Sequence, residues 1–292
     1  MNKKALIISL SIFFIMLGCI IGGIVLIVIN KNFNGFNMNY KTSKEILLEK
    51  EYELDFDNLN IDTNMSDIQL KTTDSDKLKV VVYSNKKDVK VQLDKNLDIK
   101  STSIKKCKFF CVNAIIPKIV VYIPNDFEKP INIKNKYGNI KIKSVSSDLN
   151  VDEQFGNIEI NSIKEATISN EYGDININKA KSVKINESAG DIRINKVEKA
   201  KIKNDFGNIK IDVVTDSFNI NVSCGDIKIN QVNIKQNSKI KTDYGDVKII
   251  KINDIYVKAK SEAGNVIIEK NDKDSDIVLE IESNLGNIKV DK

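Results

Sequence analysis

The sequence predicts an all-β chain: a β-solenoid, a β-helix-like stack of coils about 17–22 residues long, behind one N-terminal transmembrane helix. Three observations predict it. Nine glycines recur at intervals of 17 to 22 residues: Gly138, Gly156, Gly173, Gly190, Gly207, Gly225, Gly245, Gly264 and Gly286. Each opens the same phrase of Gly, Asn or Asp, Ile or Val, any residue, Ile or Val, as in Gly156-Asn157-Ile158-Glu159-Ile160. Residues 5–29 carry no charge and are nearly all apolar. A fixed period of this size marks one small unit stacked many times.

The elements follow in chain order. Residues 1–4 form a short cytoplasmic tail containing Lys3 and Lys4. About 20 apolar residues cross the hydrocarbon core as a helix, so 5–29 suffices as a span. Met16-Leu17-Gly18-Cys19 faintly resembles a lipoprotein cleavage box, but the apolar run continues past Cys19 without a break, which favours a retained anchor over lipidation at Cys19 or signal cleavage. The positive-inside rule places the tail in the cytoplasm and the remainder outside. The expectation is a single-pass cell-membrane protein with an extracellular C-terminal domain. Residues 30–51 are polar and read as a juxtamembrane linker, with a helical turn or two over 43–50. Residues 52–134 alternate apolar with polar, which signals half-buried strands. Within them Asp62-Thr63-Asn64-Met65-Ser66-Asp67-Ile68 is a degenerate copy of the repeat with Ser66 in the glycine place.

Residues 135–292 hold the regular repeats. After Gly190 the apolar residues are Ile192, Ile194, Val197, Ala200, Ile202 and Phe206, and other copies keep these offsets. Two short period-2 runs therefore alternate around a corner. Six inward residues cannot make a core alone, whereas stacking places like on like. At ~4.8 Å per strand, nine coils stack over roughly 40 Å. Glycine adopts positive φ without steric cost, and Asn or Asp bonds local backbone, so the phrase reads as a turn. The later, longer intervals read as loop insertions over 235–239 and 271–276.

Composition narrows function. The net charge is +5, but without Lys3, Lys4 and Lys31 the chain holds 42 bases against 40 acids. That is not the clustered basic footprint of a nucleic-acid binder. Arg193 is the only arginine, which argues against bidentate anion capture. There is no histidine, the commonest general base and metal ligand, and no tryptophan.

Val120-Val121-Tyr122-Ile123-Pro124, Ile131-Asn132-Ile133, Tyr137-Gly138-Asn139-Ile140-Lys141-Ile142 and the tandem coils that follow resemble the bacterial putative-adhesin family, domain of unknown function 4097. The resemblance covers roughly residues 52–292. It implies a β-solenoid, often behind a membrane span, and for some members a place beside cell-envelope stress-response systems. It implies no catalytic residues.

Candidate chemistry is weighed on that frame. The column Asn139, Asn157, Asp174, Asp191, Asn208, Asp226, Asp246, Asn265 and Asn287 could hold Ca²⁺ through oxygens at roughly 2.3–2.6 Å, but mixed Asn and Asp favour a turn-forming ladder. The residue before each glycine is often aromatic, as at Tyr137, Phe155, Tyr172, Phe206 and Tyr244, which suits glycan stacking. Substitution by Ala189, Cys224, Ala263 and Leu285 favours a partly buried corner. Glu153, Glu171, Glu187, Asp205, Asp243 and Glu262 could serve as glycosidase acids, but their recurrence reads as a solvated face. Cys107 and Cys111 are a candidate disulfide; four residues apart in a strand is ~13 Å, so bridging requires a loop.

The expected function is a non-enzymatic surface scaffold or adhesin-like binding protein of the cell envelope, with no cofactor and no metal. The alternatives are an accessory or sensor component of an envelope stress system and, with least support, a glycan-active enzyme. The expected partners are the membrane through one span, an envelope polymer or protein, and a second copy pairing end to end through the C-terminal coil, where Gly286-Asn287-Ile288-Lys289-Val290 precedes no polar cap.

Overall fold

The computed structural model describes residues 41–85, 89–101 and 115–291. Among them twenty strands join in one hydrogen-bonded system, a solenoid of about nine turns. No helix among the described residues is long and apolar enough to cross a membrane. The span expected over residues 5–29 and the pair Cys107 and Cys111 lie outside the described residues.

The regular coils are Ile140–Phe155, Ile158–Tyr172, Ile175–Ala189, Ile192–Phe206 and Ile209–Cys224. Successive coils pair in parallel, with Ile140 beside Ile158, then Ile175, Ile192 and Ile209. The two expected runs per coil are thus one strand that bends. In Ile192–Phe206 the buried residues are Ile192, Ile194, Val197, Ala200, Ile202 and Asn204. Adjacent outward pairs, Asn195-Lys196 and Glu198-Lys199, break the alternation and wrap the strand around the core. Each buried Ile or Val contributes about 1.5–3 kcal/mol relative to exposure, and the register turns single side chains into continuous apolar columns.

Spatial order departs from sequence order at both ends. Leu59–Thr63 lies between Leu97–Ser101 and Ile131–Tyr137. Asp67–Thr73 lies between Lys118–Pro124 and the start of Ile140–Phe155. Beyond these, antiparallel strands close the N-terminal end. Leu78–Tyr83 pairs with both Lys118–Pro124 and Ile46–Tyr52, and Val89–Leu93 pairs with Leu97–Ser101. The stretch 43–50, expected as linker with a helical turn, therefore carries most of a cap strand. Its Leu47 and Leu48 pack against the core, a reward that no local pattern reveals.

At the other end, Val278–Leu285 is inserted between Ser238–Tyr244 and Tyr256–Ala263. Ile288–Val290 likewise lies between Val247–Ile252 and Val266–Ile268. The coil that is last in sequence is therefore not last in space. Both of its edges are paired, so the expected end-to-end contact through that coil has no free edge to use. The stack ends on Tyr256–Ala263 and Val266–Ile268, where Val266, the last rung of an apolar column, is 40% exposed. The insertion read over 271–276 lies in the loop that carries the chain back across one coil.

All nine glycines sit at the corner joining one coil to the next. Positive φ occurs at six of them, with 154° at Gly225, but not at Gly190. Close approach explains all nine. A Cβ on Gly190 would overlap the carbonyl oxygen of Gly173, and every other glycine faces the same obstacle from a neighbouring coil. Gly190→Ala is expected to cost on the order of 3 kcal/mol through this overlap. Denaturant unfolding measures it; a glycine needed only for backbone freedom would tolerate alanine at Gly190.

Candidate functional site

The Asn/Asp column is a hydrogen-bond ladder between coils. Asn157 Oδ1 accepts from the Asp174 N–H at 2.8 Å, Asp174 Oδ1 from the Asp191 N–H at 3.0 Å, and Asp191 Oδ1 from the Asn208 N–H at 2.9 Å. The series runs from Asp67 to Asn265. Each backbone N–H in the ladder is met by the oxygen common to both side chains, which explains why Asn and Asp interchange. Among the described residues no cluster of three or more Cys, Asp or Glu is arranged to hold a metal ion.

Three residues before each glycine lies a column that the sequence reading mistook. Glu153 and Glu187, read as part of a solvated face, are buried, in register with the buried Asn135, Asn170 and Asn204. The error was to group them with Glu171, Asp205, Asp243 and Glu262, which stand one residue later. Strand alternation sends the first set inward and the second outward. The asparagines satisfy the glycine corner: Asn204 Nδ2 donates to the carbonyls of Gly190 and Gly207, both at 3.1 Å, and Asn170 Nδ2 to that of Gly173 at 3.0 Å. At the last coil Ser261 Oγ donates to the Gly286 carbonyl at 2.8 Å.

The two glutamates have no cation beside them. Asn135 Nδ2 donates to Glu153 Oε2 at 2.9 Å, and the Ala189 N–H donates to Glu187 Oε1 at 3.3 Å. Desolvation outweighs these bonds and pushes both carboxyls up to about 8. The hydrogen-bond pattern agrees. Asn170 Oδ1 and Asn204 Oδ1 are buried acceptors without a hydrogen-bond donor. Glu153 adjoins Asn170, and Glu187 adjoins Asn204, in neighbouring coils. A proton on each glutamate would give it a donor to offer to the asparagine oxygen in the next coil.

The residue before glycine forms a half-buried corner column. The rings of Tyr137, Phe155 and Tyr172 stack 5.0 Å apart with interplanar angles of 6° and 4°. The column continues through Ala189 and Phe206 to Cys224 and Tyr244.

On the outer surface an open trough of about 800 Å³ crosses five coils, from Lys71 to Asn195. One wall is an amide ladder: Asn178 Nδ2 donates to Asn161 Oδ1 at 3.0 Å, and Asn195 Nδ2 to Asn178 Oδ1 at 2.9 Å. Lys71 and Lys143 extend it. Along the other wall Lys141 pairs with Glu159 at 2.9 Å, while Arg193 reaches Asp174 at 3.2 Å and Asp191 at 2.7 Å. The sequence reading missed this surface. Its signal was the asparagine five residues after Gly156, Gly173 and Gly190. The trough offers many weak hydrogen-bonding groups in a repeating line.

A family model described as Toastrack DUF4097 matches residues 56–291. No curated protein matches the chain. Among solved structures, a protein of Bacteroides fragilis NCTC 9343 described as a "putative adhesin" superposes with a TM-score of 0.51 at 20% identity, covering 72% of this chain and 98% of that one. A "putative lipid binding protein" of Parabacteroides distasonis ATCC 8503 gives 0.43 at 13% identity, covering 86% and 100%. At 20% identity the Bacteroides fragilis likeness is one of fold.

Two outcomes are expected. Asn157→Asp keeps the acceptor for the Asp174 N–H and leaves stability unchanged, whereas Asn157→Ala loses about 1 kcal/mol; thermal or denaturant melts separate them. The second concerns pH. Below about 4.5 the two glutamates are protonated both folded and unfolded; between about 4.5 and about 8 the unfolded chain releases protons that the fold retains. Stability therefore falls through that window by about 1.4 kcal/mol per pH unit per carboxyl. The double variant Glu153→Gln, Glu187→Gln is expected to remove that part of the slope in denaturant melts from pH 5 to pH 8.

Proposed function

Because the chain belongs to the Toastrack DUF4097 family, we propose that it is a non-enzymatic binding scaffold of the cell envelope, anchored by residues 5–29, that holds an extended envelope polymer along its trough. The observation that carries this reading is the trough itself, a line of like polar groups repeated coil after coil. Such a line suits a ligand that also repeats. Each contact is weak, and affinity accrues over several coils. The groups that an enzyme would need are instead spent on structure: the most perturbed carboxyls, Glu153 and Glu187, are buried against glycine corners and do not face solvent. The uncharged run over 5–29 supports the anchor, and the Bacteroides fragilis protein described as a "putative adhesin" is consistent with a surface role.

Co-sedimentation of the full chain with purified cell-wall polymer tests the reading. Binding is expected to fall about tenfold in Lys71→Glu, Lys143→Glu, a loss of ~1.4 kcal/mol from two contacts. No soluble product should appear on prolonged incubation. Unchanged binding in the charge-reversed variant, or reproducible release of fragments, overturns it.

A further inference from the structure

The corner column contains a gap of one ring. Tyr137, Phe155 and Tyr172 form a continuous stack at 5.0 Å per rung. The next rung is Ala189, and the rung after it is Phe206. Two strand spacings of ~4.8 Å leave about 9.6 Å between the rungs of Tyr172 and Phe206. A flat ring midway would lie about 4.8 Å from each neighbour, inside the range of stacked rings. Tyr172, on one side of the gap, is 40% exposed, and Phe206, on the other side, is partly buried.

We infer that the corner at Ala189, between Tyr172 and Phe206, is a binding slot for one sugar ring of a glycan. The ring shape is set by the missing rung. A sugar is favoured over an aromatic side chain by the residues that precede the corner. Glu171 precedes Tyr172 and Asp205 precedes Phe206. They contact Gln154 and Lys203 respectively, yet ionised carboxylates have about four acceptor sites and retain capacity. A pyranose stacks its C–H face on the aromatic rings while its hydroxyls, at the ring edge, donate to such acceptors. A purely apolar ring would desolvate them without compensation. The slot uses a different column from the trough and stands whether or not the trough binds polymer.

The test is calorimetric titration of the full chain with cellohexaose and chitohexaose as probes. Wild type is expected to bind at least one of them saturably. Ala189→Phe places a ring in the slot and is expected to weaken that binding about tenfold or more while leaving the fold intact, because it extends the existing stack. Tyr172→Leu should weaken it similarly, and Tyr172→Phe should preserve it. Slot occupancy is read apart from the trough as protection of Tyr172 from iodination by the sugars, which Ala189→Phe should abolish, so failure here is distinguishable from failure of the proposed function. The inference is overturned if neither sugar binds, if Ala189→Phe binds as well as wild type, or if N-acetyltryptophanamide protects Tyr172 from iodination and the sugars do not.

Discussion

The structure depends on how closely one coil's backbone approaches the next at the glycine corner. There a carbonyl points along the stack at the neighbouring glycine, leaving no room for a Cβ. Three columns follow from that contact. Glycine is required whatever its φ, as Gly190 illustrates. The Asn or Asp beside it lends one oxygen to the next coil's N–H, pinning the register. Three residues before the glycine, Asn135, Asn170, Asn204 and Ser261 supply a donor to a corner carbonyl. A polar column inside an apolar core would otherwise be costly, but here it satisfies backbone groups that water cannot reach.

The same constraint explains why the solenoid cannot simply continue. Parallel edges at each end would present unpaired backbone and bare Ile or Val rungs. The N-terminal end is finished by changing direction: Leu78–Tyr83 and Val89–Leu93 pair antiparallel, and an antiparallel strand does not template another coil. The C-terminal end is finished by slipping the last coil inward, which exchanges one exposed coil for another. That exchange leaves Val266 open, but it ties the chain's end between two layers.

Much of this was legible in the sequence because it is periodic. The glycine spacing and the offsets of Ile192, Ile194 and Val197 give the coil, and Ser66 in the glycine place is the rung beside Gly138. What was not legible depends on contacts between coils. Positive φ seemed to explain the glycines, yet the obstacle at Gly190 belongs to another coil. Glu153 and Glu187 looked like their exposed neighbours because charge masked an alternation that would have placed them inside. The insertion of Val278–Leu285 had no local mark, since an inserted coil and a terminal one share the same phrase. Ile46–Tyr52 likewise became a strand only because a solenoid end needed a cap.

These constraints also locate where function can vary. The glycine, the Asn or Asp after it, the inward Ile and Val columns and the polar residue three before glycine are all committed to stacking. A change in any of them alters the register for both neighbouring coils. The outward columns carry no such duty, and they are the ones that vary: Lys141, Glu159, Asn176 and Arg193 share one column, and Tyr172, Ala189 and Phe206 share another. Residues that act together are therefore those 17 or 18 positions apart, not neighbours in sequence. A ligand lying along these columns would meet one residue from each of several coils, so its repeat would have to be commensurate with the strand spacing or small enough to use a single irregular rung.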